Sequence, residues 1–247
     1  MADTRFHGMP DGRRIAFRHA SGSGPTVVFL PGYRSDMAGG KATALMAWAE
    51  AHGRACLLID YSGCGESSGD FADGTLGRWQ DEAAALLAGH VAGRVVLVGS
   101  SMGGWLAVLL GRALGPRLAG VVGIAAAPDF TEWGYSDDEK ARLQRDGRLE
   151  RPNPYGAETE LTTAAFWESG QALRLLDGPI AVDCPVRLVH GEADDEVPVE
   201  IALRTLQRLR SADVQLTIVK GGGHRLSQQH EIDAILRAVA ALLEPSQ

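Results

Sequence analysis

Residues 95–106 constrain this chain more than any other stretch. Val95, Val96, Leu97 and Val98 favour a strand and run straight into Gly99-Ser100-Ser101-Met102-Gly103, a Gly-x-Ser-x-Gly pattern. Trp105, Leu106, Ala107, Val108, Leu109 and Leu110 then suit a helix. Strand, sharp turn and helix in so few residues push the side chain at the bend into disfavoured backbone space, clear of the sheet, and the flanking glycines leave room for tight packing. Ser101 is therefore the candidate nucleophile. The pattern alone is weak, because 31 of the 247 residues are glycine and roughly 0.2 chance matches are expected in such a chain. A second match does occur, Gly65-Glu66-Ser67-Ser68-Gly69. The loop Tyr61-Ser62-Gly63-Cys64 cuts it off from its strand, and it leads into Asp70-Phe71-Ala72-Asp73-Gly74 rather than a helix. Ser67 thus reads as part of a Gly/Ser-rich surface loop.

The rest of the chain alternates around this centre. Residues 5–20 read as a hairpin turning at Asp11-Gly12. Residues 27–30, 55–59, 94–99, 121–124, 186–189 and 214–219 are apolar runs of strand length, several of them continuous, as in strands covered on both faces. Residues 42–51, 76–90, 199–210 and 232–243 carry helical patterns. Such alternation predicts a mostly parallel sheet, eight strands in all, with helices on both faces and ligands bound beyond the carboxyl ends of the strands. Residues 128–180 break the rhythm and contain no strand-like run. Residues 137–148 and 163–176 read as helices there, with Trp133, Tyr135, Tyr155, Phe166 and Trp167 among charged neighbours. An excursion of that length predicts a small helical lid inserted into a single domain spanning 1–247. Trp133, Tyr155 and Trp167 are its candidate pocket residues. The alternative is a decorated crossover that touches no ligand.

A chain that is 45% hydrophobic and 22% charged is expected to build a packed core. The net charge of −7, with no block of like charge, argues against nucleic acid or an anionic membrane surface as a partner. No apolar run reaches the ~18 residues of a membrane span. The N-terminal residues lack the apolar segment of a signal peptide. Cys56, Cys64 and Cys184 form no metal spacing and leave one thiol over, which fits a reduced, cytoplasmic compartment.

A serine hydroxyl needs a base at neutral pH, and the base needs a group that fixes its tautomer and stabilises its cation. Both are expected in loops after later strands. The segment His190-Gly191-Glu192-Ala193-Asp194-Asp195-Glu196-Val197-Pro198 offers four acids. Asp194 is preferred, since its step from His190 matches serine hydrolases of this chain order, and Asp195 is the alternative. Of seven histidines, His7, His19, His52 and His90 lie early, His190 precedes the acid, and His230 falls in the final helical region. His224, in Lys220-Gly221-Gly222-Gly223-His224, alone follows the acid in a loop directly after a strand. The order Ser101, Asp194, His224 is far more specific than any one motif. The backbone N–H groups of Met102, after the nucleophile, and Tyr33, after residues 27–30, are the expected oxyanion donors; their side chains are not required for that role.

These residues, together with Pro31-Gly32-Tyr33, Ser35-Asp36-Met37, Lys41-Ala42, Asp60 to Ser67, Gly74-Thr75-Leu76-Gly77-Arg78-Trp79 and Gly103-Gly104-Trp105, give a chain that resembles the α/β-hydrolase superfamily over essentially its whole length. Within it, the likeness is to the group of palmitoyl-protein thioesterases that also act as acyl-glucuronide esterases, with their bacterial relatives. The resemblance implies a thioesterase or carboxylesterase working through an acyl-serine intermediate, with nucleophile, acid and base falling on Ser101, Asp194 and His224. The expected partner is a small-molecule or acylated-protein substrate, the mechanism needs no metal or organic cofactor, and the chain is expected to be a monomer or homodimer. A short-chain carboxylesterase or a carbon–carbon bond hydrolase would use the same machinery. A non-catalytic binding protein would be signalled by a missing triad member, and none is missing.

Overall fold

The computed structural model describes residues 2–152 and 159–243. The hairpin turning at Gly12 joins β1 (Thr4–Gly8) to β2 (Arg14–Ala20). Next come β3 (Ser23–Leu30), α1 (Gly40–Ala51), β4 (Arg54–Ile59), α2 (Leu76–His90), β5 (Val95–Ser100), α3 (Met102–Leu114) and β6 (Leu118–Ile124). The excursion holds α4 (Phe130–Trp133), α5 (Asp137–Asp146), β7 (Arg148–Pro152), β8 (Thr159–Thr163) and α6 (Ala164–Ala172). It is followed by β9 (Val186–Gly191), α7 (Val199–Arg208), β10 (Val214–Val219) and α8 (Gln229–Leu243).

Eight strands form one sheet in the order β1-β2-β4-β3-β5-β6-β9-β10. The pairs β1–β2 and β2–β4 are antiparallel and all the others parallel. From β3 the chain steps outward to β4, and from β5 it steps the other way to β6. The carboxyl ends of β3 and β5 therefore flank the point where the winding reverses, which is where ligands bind in such sheets.

Side-chain alternation explains why both faces are covered. Val28, Leu30, Leu57, Leu97 and Val121 pack on one face with α2, α3 and α7. Val27, Phe29, Leu58, Val96, Val98 and Val122 pack on the other with α1 and α8. A strand whose two sets of alternate residues are both buried reads as a near-continuous apolar run, as Val95 to Gly99 of β5 do.

The excursion corrects the expectation that it carries no strand. Its helices α5 and α6 lie near the predicted spans, but β7 and β8 pair as an antiparallel hairpin between them. The sequences Arg-Leu-Glu-Arg-Pro and Thr-Glu-Leu-Thr-Thr hide this, because each strand buries only one residue, Leu149 and Thr162, and so shows no hydrophobic alternation. Helix α5 stops at Gly147, in the left-handed region at φ 76°. It starts in a capping box in which Ser136 and Glu139 exchange hydrogen bonds. Buried Asp129 closes the excursion: Leu175 N–H donates to its Oδ1 at 2.8 Å and Leu176 N–H to its Oδ2 at 2.7 Å.

Candidate active site

Ser101 sits between β5 and α3 with φ 53° and ψ −119°, a conformation that costs a non-glycine residue about 1–3 kcal/mol. The surroundings hold it there. Ser101 N–H donates to Ile124 O at 2.9 Å, and its own carbonyl accepts from Gly104 N–H at 2.9 Å and Ala127 N–H at 3.1 Å. A Cβ at Gly99 would strike the Gly103 carbonyl, and one at Gly103 would strike the Leu30 carbonyl. The turn therefore needs both glycines.

Asp194 and His224 arrive on two loops zipped together. Glu192 N–H donates to Val219 O at 2.9 Å and Ala193 N–H to Gly222 O at 2.8 Å. This carries Asp194, after β9, beside His224, after β10. His224 Nδ1 lies 3.0 Å from Asp194 Oδ2, and His224 Nε2 lies 3.1 Å from Ser101 Oγ. With Nδ1–H donating to the carboxylate, Nε2 is left to accept from the serine hydroxyl. The Asp194 side chain is fully buried and that of His224 is 13% exposed. Burial alone would raise the Asp194 carboxyl. The hydrogen bond from His224, the Val197 amide, the imidazole charge and the Glu196 amide outweigh it and hold the carboxyl below its ordinary range. Those two amides both donate to Asp194 Oδ1, at 2.9 Å from Val197 and 3.0 Å from Glu196. Asp195, the alternative acid, is exposed at the cavity edge.

A cavity of about 810 Å³ opens in front of Ser101 and His224. Tyr33, Phe130, Trp133 and Tyr135 give it aromatic walls, and Lys41, Arg151 and Glu160 give it charged ones. Met102 is the first residue of α3, so its N–H points out of the helix N-terminus at the bend. Gly32 brings the Tyr33 segment close: a Cβ there would stand 3.4 Å from Ser101 Cβ. Among the described residues neither the Met102 nor the Tyr33 N–H donates a hydrogen bond.

The chain has the matching family pattern as well as the geometry, for residues 27–238 match the model of the alpha/beta hydrolase family. The chain belongs to that family. The human protein named "Palmitoyl-protein thioesterase ABHD10, mitochondrial" is 31% identical over 243 residues, 97% of this chain and 79% of that one. Among solved structures, a protein from Agrobacterium vitis S4 superposes with a TM-score of 0.92 at 39% identity, covering 99% of this chain and 100% of that one. Alpha/beta hydrolase domain-containing protein 10 from mouse superposes with a TM-score of 0.91 at 31% identity, covering 98% of each chain. These relatives overturn the cytoplasmic expectation, since the human, mouse and other ABHD10 proteins are named as mitochondrial. Free thiols fit any reducing compartment and never separated the two. No helix among the described residues is long and apolar enough to cross a membrane.

In this hydrolase the predicted pocket residues separate. Trp133 lines the cavity, with its Nε1–H donating to Pro128 O at 2.8 Å. Trp167 does not: it is buried with Leu143 and Leu149 inside the excursion, its Nε1–H bonded to Thr131 O at 2.9 Å. Tyr155 lies outside the described residues. Ser67 is structural, since its Oγ accepts from Ala16 N–H at 2.8 Å and donates to Asp60 O at 3.0 Å. Burial pushes the Cys56 and Cys64 thiols up to about 12 and Cys184 to about 11, away from the thiolate form.

Sequence reasoning missed two neighbours of the site. Buried His190 donates from Nε2 to Val197 O at 2.8 Å, and the same nitrogen lies 3.4 Å from Asp194 Oδ2. Its place four residues before the acid was the available signal. The Tyr33 side chain, set aside as unnecessary, reaches the excursion; its ring lies among Phe71, Trp79, Phe130 and Phe166.

Proposed function

We propose that this hydrolase cleaves acyl thioesters or carboxylic esters through an acyl-serine intermediate. His224 Nε2 takes the Ser101 proton as Oγ attacks the acyl carbonyl carbon. Asp194 steadies the imidazolium, and the Met102 and Tyr33 amides receive the developing oxyanion. The C–S or C–O bond then breaks, with His224 returning the proton to the leaving thiol or alcohol. A water repeats the sequence on the acyl-serine, releasing the carboxylic acid. The observation that carries this reading is the continuous Ser101–His224–Asp194 path at a strained strand-to-helix turn.

The chain acts as one catalytic domain, with residues 128–180 as a lid over the cavity. The thioester half of the reading rests on the ABHD10 relatives, which are named palmitoyl-protein thioesterases. A second reading, an esterase for short or polar acyl groups, is favoured by the charged wall of Lys41, Arg151 and Glu160.

Turnover of p-nitrophenyl esters and of acyl thioesters of increasing length tests both. Ser101→Ala is expected to lower kcat by about 10⁴-fold or more and to block labelling by a fluorophosphonate. Unchanged turnover in that variant refutes the mechanism. A rate maximum at long thioesters favours the first reading, and a maximum at short oxygen esters the second.

A further inference from the structure

We infer that the Tyr33 hydroxyl is a positioning group, holding the oxyanion-binding backbone at residue 33 in register with the β7–β8 hairpin. The inference rests on the acyl-serine mechanism proposed above. It assigns to the side chain a task separate from that of the backbone N–H.

Three observations carry it. First, Tyr33 Oη donates to Leu161 O, on β8, at 2.6 Å, a short bond joining the loop after β3 to a strand 128 residues later. Second, the loop is held under strain and needs an anchor. Arg34, directly after Tyr33, is a non-glycine residue at φ 56°, and Ser35 N–H closes a turn onto Gly32 O at 3.2 Å. Residues in the left-handed region relax when the surroundings do not hold them. Third, the ring is clamped from several directions. Phe166 of α6 lies 4.8 Å away between ring centroids, Phe71 lies 5.0 Å away, and Trp79 of α2 and Phe130 of α4 each lie 6.1 Å away. Two of these four rings belong to the excursion, so the excursion meets the oxyanion loop through both the ring and the hydroxyl.

Burial raises the Tyr33 phenol well above its ordinary range, so the hydroxyl stays protonated and remains a donor. The acceptor is itself braced. On the neighbouring residue of β8, Thr162 Oγ1 is 2.8 Å from Tyr135 Oη, and Ala164 N–H donates to Gly147 O at 2.8 Å. A displacement of β8 therefore pulls on the phenol, and the phenol pulls on the amide one residue's backbone away from Gly32. An amide that meets the oxyanion only in the transition state affects kcat rather than substrate affinity.

Tyr33→Phe removes one oxygen atom and keeps the ring. Loss of one buried neutral hydrogen bond corresponds to about two- to tenfold. Tyr33→Phe is expected to lower kcat for a p-nitrophenyl ester by about fivefold, with KM within twofold of wild type. The affinity for a trifluoromethyl ketone, whose serine adduct carries an oxyanion, should fall by the same factor. Hydrogen exchange gives a readout independent of turnover: the amides of 32–34 and of 159–163 should both exchange faster in the variant. Wild-type kcat and wild-type inhibitor affinity overturn the inference. So does a rise in KM at constant kcat, which would make the hydroxyl a substrate contact. Ser101→Ala, assayed alongside, separates the two levels. A dead Ser101 variant beside a fully active Tyr33→Phe overturns this inference alone, whereas an active Ser101 variant overturns the mechanism and this inference together.

Discussion

Replacing Asp194 by Asn should disable the enzyme without unfolding it, and the hydrogen bonds around the carboxylate say why. Oδ1 accepts two backbone amides, from Glu196 at 3.0 Å and Val197 at 2.9 Å. The NH2 group of an asparagine cannot sit there, because it would face two donors. The amide must therefore turn its oxygen to those N–H groups and its NH2 to His224. Nδ1, now facing a donor, becomes the acceptor, and the imidazole proton moves to Nε2, 3.1 Å from Ser101 Oγ. In that tautomer the base cannot take the serine proton. Such a switch costs about 10⁴-fold in kcat, or about 5.4 kcal/mol of transition-state stabilisation. The backbone contacts that shape the loop survive, so the melting temperature should stay near that of the wild type. Steady-state kinetics on a p-nitrophenyl ester, with a thermal melt of the same sample, make the measurement. Glu192→Gln, an exposed change two residues away, serves as control. If Asp194→Asn keeps more than about a tenth of wild-type kcat/KM, the acid and the tautomer argument are both wrong.

Two further outcomes concern the excursion. Asp129→Ala strands the buried amides of Leu175 and Leu176 and should cost about 3 kcal/mol, a fall of roughly 6–12 °C in Tm. Asp129 lies in the left-handed region at φ 58°, and Asp129→Asn keeps one acceptor oxygen and tolerance of that backbone, so it should fall less; equal melting of the alanine variant and wild type would rule out the clamp. Glu139, bonded by Arg151 through Nε at 2.7 Å and Nη2 at 2.6 Å, has its carboxyl held at about 2, chiefly by that side-chain hydrogen bond. A depressed carboxyl adds stability that is fully present above its unfolded value of 4.5 and disappears as the pH falls through 2. The pair is part-exposed, so about 1 kcal/mol is expected, and the Tm gap between wild type and Glu139→Gln should close between pH 4.5 and pH 2. A gap that is constant with pH would contradict the assignment.

The parts of the fold legible in the sequence were those where burial dictates residue type. Residues 95–98 must be apolar because both of their faces are covered, and Gly99 and Gly103 must be glycine because backbone occupies the space of a side chain. The order of Ser101, Asp194 and His224 follows from where parallel strands end, which is why three dispersed residues could be chosen together. The β7–β8 hairpin was illegible for the opposite reason. Of residues 148–152 and 159–163 only Leu149 and Thr162 are buried, so neither strand carries a hydrophobic period. Trp167 misled because an aromatic residue facing the cavity and one in the excursion's own core look alike in sequence; the difference is the Thr131 carbonyl that its indole meets. The predicted end of the helix at 148 overshot Gly147, whose left-handed conformation stops it at Asp146. That stop signal was present in the sequence and was passed over.

The tie at Asp129 has a consequence for how such proteins diversify. The carboxylate of Asp129, a residue at the start of the excursion, grips the chain where it comes home at Leu175 and Leu176, so the scaffold experiences the same junction whatever is spliced between. Enlarging or replacing a segment closed at its neck carries an entropy cost that grows only with the logarithm of its length. The whole segment can thus be exchanged as a cassette, while the arrangement of Ser101, Asp194 and His224 beneath it is inherited intact.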